Sequence, residues 1–140
     1  MTFRIAVPIL AVALVAGCTA VPDETAPIRT AGSPPAWTEP SGYRFVVDRA
    51  CDGEPSRGRY RVTVQDGEVA STERIDGKTA AGEEEIQVPS LAGLMELARI
   101  ATDDGAEATV ARDPADGHPT EVRIKRDAED CFVVSEYAIG

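Results

Sequence analysis

An α+β fold, with six antiparallel strands and one helix packed on one face, is what this chain predicts, and three observations carry it. From Tyr43 to Ile139 six short runs alternate apolar and polar residues with the period of two that a half-buried strand requires. A single stretch of helical period, Leu91, Leu94, Met95, Ala98 and Ala101, divides them three and three. Two cysteines, Cys51 and Cys131, stand just past the end of the first run and at the start of the last. A bond between them makes those two strands neighbours.

Tyr43, Phe45 and Val47 alternate with Arg44 and Asp48 in the first strand. Tyr60, Val62 and Val64 alternate with Arg59, Arg61 and Thr63 in the second. Asp66-Gly67 follows, a pair suited to two-residue hairpins because both central positions need positive φ. That turn sets Val64 opposite Val69 and Gln65 opposite Glu68, with a third strand over 68–74. Residues 76–87, with Gly77, Gly82 and the run Glu83-Glu84-Glu85, read as a solvated loop whose acids are exposed charge rather than a cation site. Ser90 then caps the helix, Pro89 sits just outside it, and Asp103-Asp104-Gly105 ends it. Leu97 and Ile100 are expected to widen its buried face, while Glu96 and Arg99 face solvent. The fourth strand covers 106–112. In the fifth, 120–126, Val122 and Ile124 point inward and Glu121, Arg123 and Lys125 outward; the sixth covers 131–139. Residues 113–119, Asp-Pro-Ala-Asp-Gly-His-Pro, form a turn-rich loop. The element order is β-β-β-α-β-β-β, and pairing the first strand with the sixth gives the sheet order 3-2-1-6-5-4. Such a sheet is about 24 Å wide at ~4.8 Å per strand, and a helix about 20 Å long fits diagonally across it.

Upstream of this domain the chain changes character. Arg4 is followed by the apolar run 5–15, broken only by Pro8, and then by Val15-Ala16-Gly17-Cys18. The run is too short to span a bilayer, which takes roughly 20 apolar residues; charged start, short apolar core and small residues form an export signal. The last four residues resemble the lipobox of bacterial lipoproteins, with Val15 where Leu is usual. That resemblance implies a diacylglycerol on the Cys18 thiol, cleavage before it and acylation of the new amino terminus, so that the palmitate-type chains anchor the protein to the outer side of the cell membrane. Two or more acyl chains hold a protein stably, whereas one does so only marginally. Residues 18–41 then carry the lipidated Cys and a tether holding Pro22, Pro27, Pro34, Pro35 and Pro40. This stretch shows no apolar period and favours extended conformations. Trp37 is expected to pack on the domain edge, the alternative being an exposed aromatic handle. The domain itself is expected over 42–140.

Charge and cysteine count narrow the chemistry. Lys plus Arg is 14 and Asp plus Glu is 24, a net charge of −10, which excludes a sequence-independent nucleic-acid binder. Removal of residues 1–17 leaves 13 cations against 24 anions, a net of −11, so an anionic leaflet repels the body and the lipid alone attaches it. The cysteines number three. With Cys18 taken by lipid, Cys51 and Cys131 are left as a pair, and in an oxidising compartment a disulfide is their default state. Closing a loop of that length stabilises the fold by roughly 4.5 kcal/mol in entropy terms.

At domain level, Tyr43-Arg44-Phe45, Cys51, the hairpin from Val62 to Val69, the helix from Leu91 to Arg99, Asp113 and Gly117-His118-Pro119-Thr120 make a recognisable series. Over residues 37–137 it resembles a family of small secreted actinobacterial lipoproteins whose domain is of unknown function. His118 stands where that family usually has an aromatic residue, and Arg112 where it has Tyr. The resemblance implies a fold outline and an exported location, and no catalytic residue.

No Gly-x-Ser-x-Gly elbow and no phosphate-cradling glycine loop is present in the sequence. The only His, His118, lies beside Asp113 and Asp116. These three are the centre of the enzymatic alternative, a small hydrolytic or metal-dependent site, although Asp113 and Asp116 lack the spacing of a calcium loop. The favoured expectation is a non-enzymatic binding module without cofactor or metal. Its surface is the sheet face away from the helix, where Arg44, Arg59, Arg61, Arg123 and Lys125 share the polar phase. Those cations either pair with Asp48, Glu121 and Glu136 or receive an anionic envelope partner, to which planar guanidinium groups are suited.

Overall fold

The structure is a computed structural model of the chain, and it describes residues 33–78 and 87–140. Cys18, the export signal, the first part of the tether and the acidic run Glu83-Glu84-Glu85 lie outside the described residues. Three strands, β1 (Gly42–Asp48), β2 (Arg59–Gln65) and β3 (Glu68–Arg74), precede the helix α1 (Leu91–Asp103). Three more follow it, β4 (Glu107–Arg112), β5 (Pro119–Lys125) and β6 (Glu129–Ile139). They form one six-stranded antiparallel sheet in the order β3-β2-β1-β6-β5-β4, the order that the cysteine positions predict.

Local chemistry sets the registers. Asp66 and Gly67 both take positive φ, 52° and 78°, and the hairpin pairs Val64 with Val69 and Gln65 with Glu68. The alternation of β1, β2, β5 and β6 then places Tyr43, Phe45, Val47, Tyr60, Val62, Val64, Val122, Ile124, Phe132 and Val134 on one side, where they join Val88 and the helix in a single core. Ser90 accepts the Gly93 N–H at 3.1 Å and caps α1.

Two expectations need correction. Leu97 and Ile100 do not widen the buried face of α1, since each is 40% exposed. Met95 is only half-buried, which leaves Leu91, Leu94, Ala98 and Ala101 as the packed stripe. The physical reason is where the helix lies. Its body packs on β4 and β5 rather than diagonally across the sheet, so it presents one narrow stripe to the strands. At its first turn the Leu91 N–H donates to the Tyr43 hydroxyl of β1 at 3.0 Å.

Strand β6 carries a bulge. Val46 pairs with Ser135 and Arg44 with Ala138, so Glu136 and Tyr137 together oppose Phe45. Glu136 takes φ 51°. The extra residue reverses the alternation, and Tyr137, which regular pairing would put outside, packs against the core. The compact unit begins at Ser33, and residues 33–41 fold back onto this end of the sheet.

Candidate functional site

The outer sheet face has no covering layer among the described residues, and its side chains come from the polar phase of the strands. Val46 and Cys131 are exceptions, 1% and 3% exposed there, with Val133 a part-exposed apolar neighbour; Val46 lies between its cross-strand partners Arg61 and Ser135. The five cations singled out in the sequence do share this face, yet they differ in partners. Arg59 pairs with Glu136 at 3.5 Å and Arg61 with Glu73 at 3.2 Å. Arg123 meets Asp52 at 2.8 Å, Glu129 at 3.7 Å and Glu121 in a close contact. These neighbours hold the Arg123 guanidinium more firmly protonated than usual, Glu121 first and Asp52 second. Arg44 and Lys125 have no ion pair among the described residues. Of the expected carboxylate partners, Glu121 and Glu136 take part; Asp48 instead accepts from the Ser56 hydroxyl. Glu73, Asp52 and Glu129 could not be assigned beforehand, because each lies on a neighbouring strand or turn whose register had first to be known. A depression of about 150 Å³ lies between Glu107, Thr109, Arg123, Lys125 and Glu129. That is below the roughly 300 Å³ at which small-molecule pockets begin.

At the opposite end from the disulfide, residues 33–41 meet the 113–119 turn. Gly117, at φ 80°, passes so close to the strap that a Cβ there would overlap the Pro35 carbonyl. Trp37 sets its ring edge-on to Tyr43, centroids 6.0 Å apart, and its indole N–H donates to the Tyr137 hydroxyl at 3.4 Å. Trp37 thus packs on the domain edge. Tyr43 donates to Glu39 at 2.5 Å; burial first, and then this bond, push its phenol well above the usual range.

His118 stacks on Tyr137, 4.1 Å between centroids and 20° between planes. Its Nδ1 lies 2.5 Å from Asp116 Oδ1, which also accepts the His118 backbone N–H at 3.0 Å. That backbone bond, with the imidazole second, holds Asp116 below the ordinary carboxylate range. Asp113 Oδ1 accepts the Ala115 N–H at 2.7 Å. Donor atoms of Asp113, Asp116 and His118 come within 4.8 Å of one another, close enough to share a cation. Both carboxylates, however, are already engaged in closing the turn. Cys51, Glu129 and Cys131 form a second such cluster, but its sulfurs are bonded to each other, with Cα atoms 5.1 Å apart.

Two features of these ends of the sheet escaped the sequence reading. The bulge that turns Tyr137 inward rests on Glu136, a residue type that gives no sign of positive φ. Arg49 continues the apolar phase of Tyr43, Phe45 and Val47, and that was a usable signal: a cation in a core position.

No curated protein and no solved structure matches the chain. One protein family does match, over residues 36–132, from just before Trp37 to Phe132 in β6. With well over half its length matched, the chain belongs to the family of unknown function DUF6174.

Proposed function

We propose that this protein is an exported lipoprotein, held at the membrane through Cys18, whose domain binds a partner on the outer sheet face and catalyses no reaction. The allocation of cysteines carries the reading. Cys51 and Cys131 are joined, a state that persists in oxidising compartments, and the remaining cysteine is the one in the lipobox-like Val15-Ala16-Gly17-Cys18. Metabolic labelling with a fatty-acid probe is expected to mark the wild type and leave Cys18→Ala unmarked; equal labelling of both would sink the proposal.

The partner is anionic, an envelope polymer or an acidic protein. Arg44 and Lys125 offer cations not already committed to carboxylates, and Arg59, Arg61 and Arg123 offer guanidinium groups oriented by theirs. Binding to envelope fractions is expected to fall with salt, and to fall in Arg44→Ala with Lys125→Ala at low salt. Binding by this double variant equal to the wild type would reduce the face to solvated surface.

A further inference from the structure

Arg49 is the one described residue whose buried side-chain donors go unmet. Its side chain is 9% exposed, and its guanidinium lies over the Phe132 ring, 5.3 Å from the centroid. Nη2 reaches Asp130 Oδ1 at 3.4 Å, which is long for a charge-assisted bond. The same oxygen lies 2.9 Å from Nη1 of Arg57, so Asp130 belongs mainly to Arg57. Nε and Nη1 of Arg49 are buried with no partner. A guanidinium has five N–H donors and no acceptor, so no change of rotamer or tautomer makes it self-sufficient. Buried polar groups without partners are rare in native proteins and point to a missing acceptor. Two cations here share one carboxylate, so the missing acceptor is an anion.

The frame around Arg49 is rigid. Its backbone N–H donates to the Gly58 carbonyl at 2.9 Å, and its own carbonyl accepts from the Arg57 N–H at 2.8 Å. Two residues on, Cys51 is bonded to Cys131. Such a frame fixes a guanidinium before any ligand arrives, which lowers the cost of binding. We propose that Arg49, with Arg57 beside it, is a binding site for a small oxyanion, a carboxylate or a phosphate. The ligand enters over the rim formed by Arg57 and Asp130, each 46% exposed. Asp130 stays with Arg57 and gives up its long contact to Arg49, and two ligand oxygens take the fork formed by the unmet Nε–H and the released Nη2–H of Arg49. Because Arg49 lies on the core side of the sheet against Phe132, this site is separate from the outer face and stands or falls independently of it.

The test uses the full-length, disulfide-intact protein with ¹⁵N-labelled arginine. Sodium acetate and sodium phosphate are titrated against sodium chloride at fixed ionic strength. The Arg49 Nε–H resonance, assigned by its loss in Arg49→Met and its proximity to the Phe132 ring protons, is expected to shift saturably. The melting temperature is expected to rise by about 5 °C at a few times the dissociation constant. Arg49→Met should melt no lower than the wild type in chloride and show no anion response. A response to acetate alone assigns the site to carboxylates, and one to phosphate alone to phosphates. If neither anion moves the wild-type resonance, the donors are met by water and the site does not exist. A melting response that survives in Arg49→Met overturns it equally. If that variant fails to fold, the wild-type resonance, assigned through Phe132, decides.

Discussion

On the helix side of the sheet, Tyr43, Phe45, Val47, Tyr60, Val62 and Val64 are no more than 6% exposed. One residue along the same strands, Arg44, Arg59 and Arg61 stand in solvent. The first face gains its stability from area removed from water, which rigidly fixes every side chain. The second is held by ion pairs whose partners are themselves exposed, and such pairs contribute little. Alternation along a strand therefore separates two tasks. Residues of one phase hold the fold together, and residues of the other can change without loss of the fold. Val46 and the disulfide are the exceptions: Val46 is buried in the outer phase of β1, and Cys131 lies in the outer phase of β6 and yet ties β6 to the chain after β1.

Substitutions should separate the faces by size of effect. Phe45→Ala is expected to cost about 3–5 kcal/mol in urea denaturation, the range for truncating a buried aromatic residue. Cys51→Ser with Cys131→Ser should cost about 2–5 kcal/mol, and a loss under half a kilocalorie would mean that the outer phase carries no staple. Acid acts next, on the charged periphery rather than the core. The hydrogen bonds from Arg74 hold Asp76 down to about 2, and Asp116 and Glu96 are lowered by His118 and Arg99. Folded-state values below unfolded ones mean that the unfolded chain binds more protons in this window. Their stabilisation is therefore full above the ordinary carboxylate pKa of about 4 and is lost as the pH falls towards 2. Circular dichroism should show stability declining across that interval; stability that rises on acidification would contradict the sign. Smallest of all, Arg61→Ala should change stability by at most about 1 kcal/mol. A larger loss would mean that the outer face helps hold the fold and is not free for a partner.

Sheet order and hairpin register were legible in the sequence for identifiable reasons. Asp66-Gly67 leaves one pairing for β2 and β3, and two cysteines at strand ends leave one neighbour for β1. The breadth of the helix contact was not legible, because Leu97 and Ile100 are apolar whether or not a strand lies beneath them, and only the position of α1 over β4 and β5 decides. The strap was half legible. Trp37 stood out among the prolines, but the contact of Pro35 with Gly117 joins residues far apart in sequence, and local composition does not encode it. On the outer face the five cations could be placed by phase alone. Which of them were already paired depended on Asp52, Glu73 and Glu129, and so on the finished registers.

The division of the three cysteines is the centre of the account, and non-reducing peptide mass mapping tests it most directly. The protein is extracted from membranes under thiol-blocking conditions without reductant and then digested. The expected result is an amino-terminal peptide beginning at Cys18 and carrying a diacylglycerol, a Cys51 peptide joined to a Cys131 peptide, and no alkylated thiol. A chain still beginning at Met1 with Cys18 alkylated, or Cys51 and Cys131 both alkylated, would contradict it.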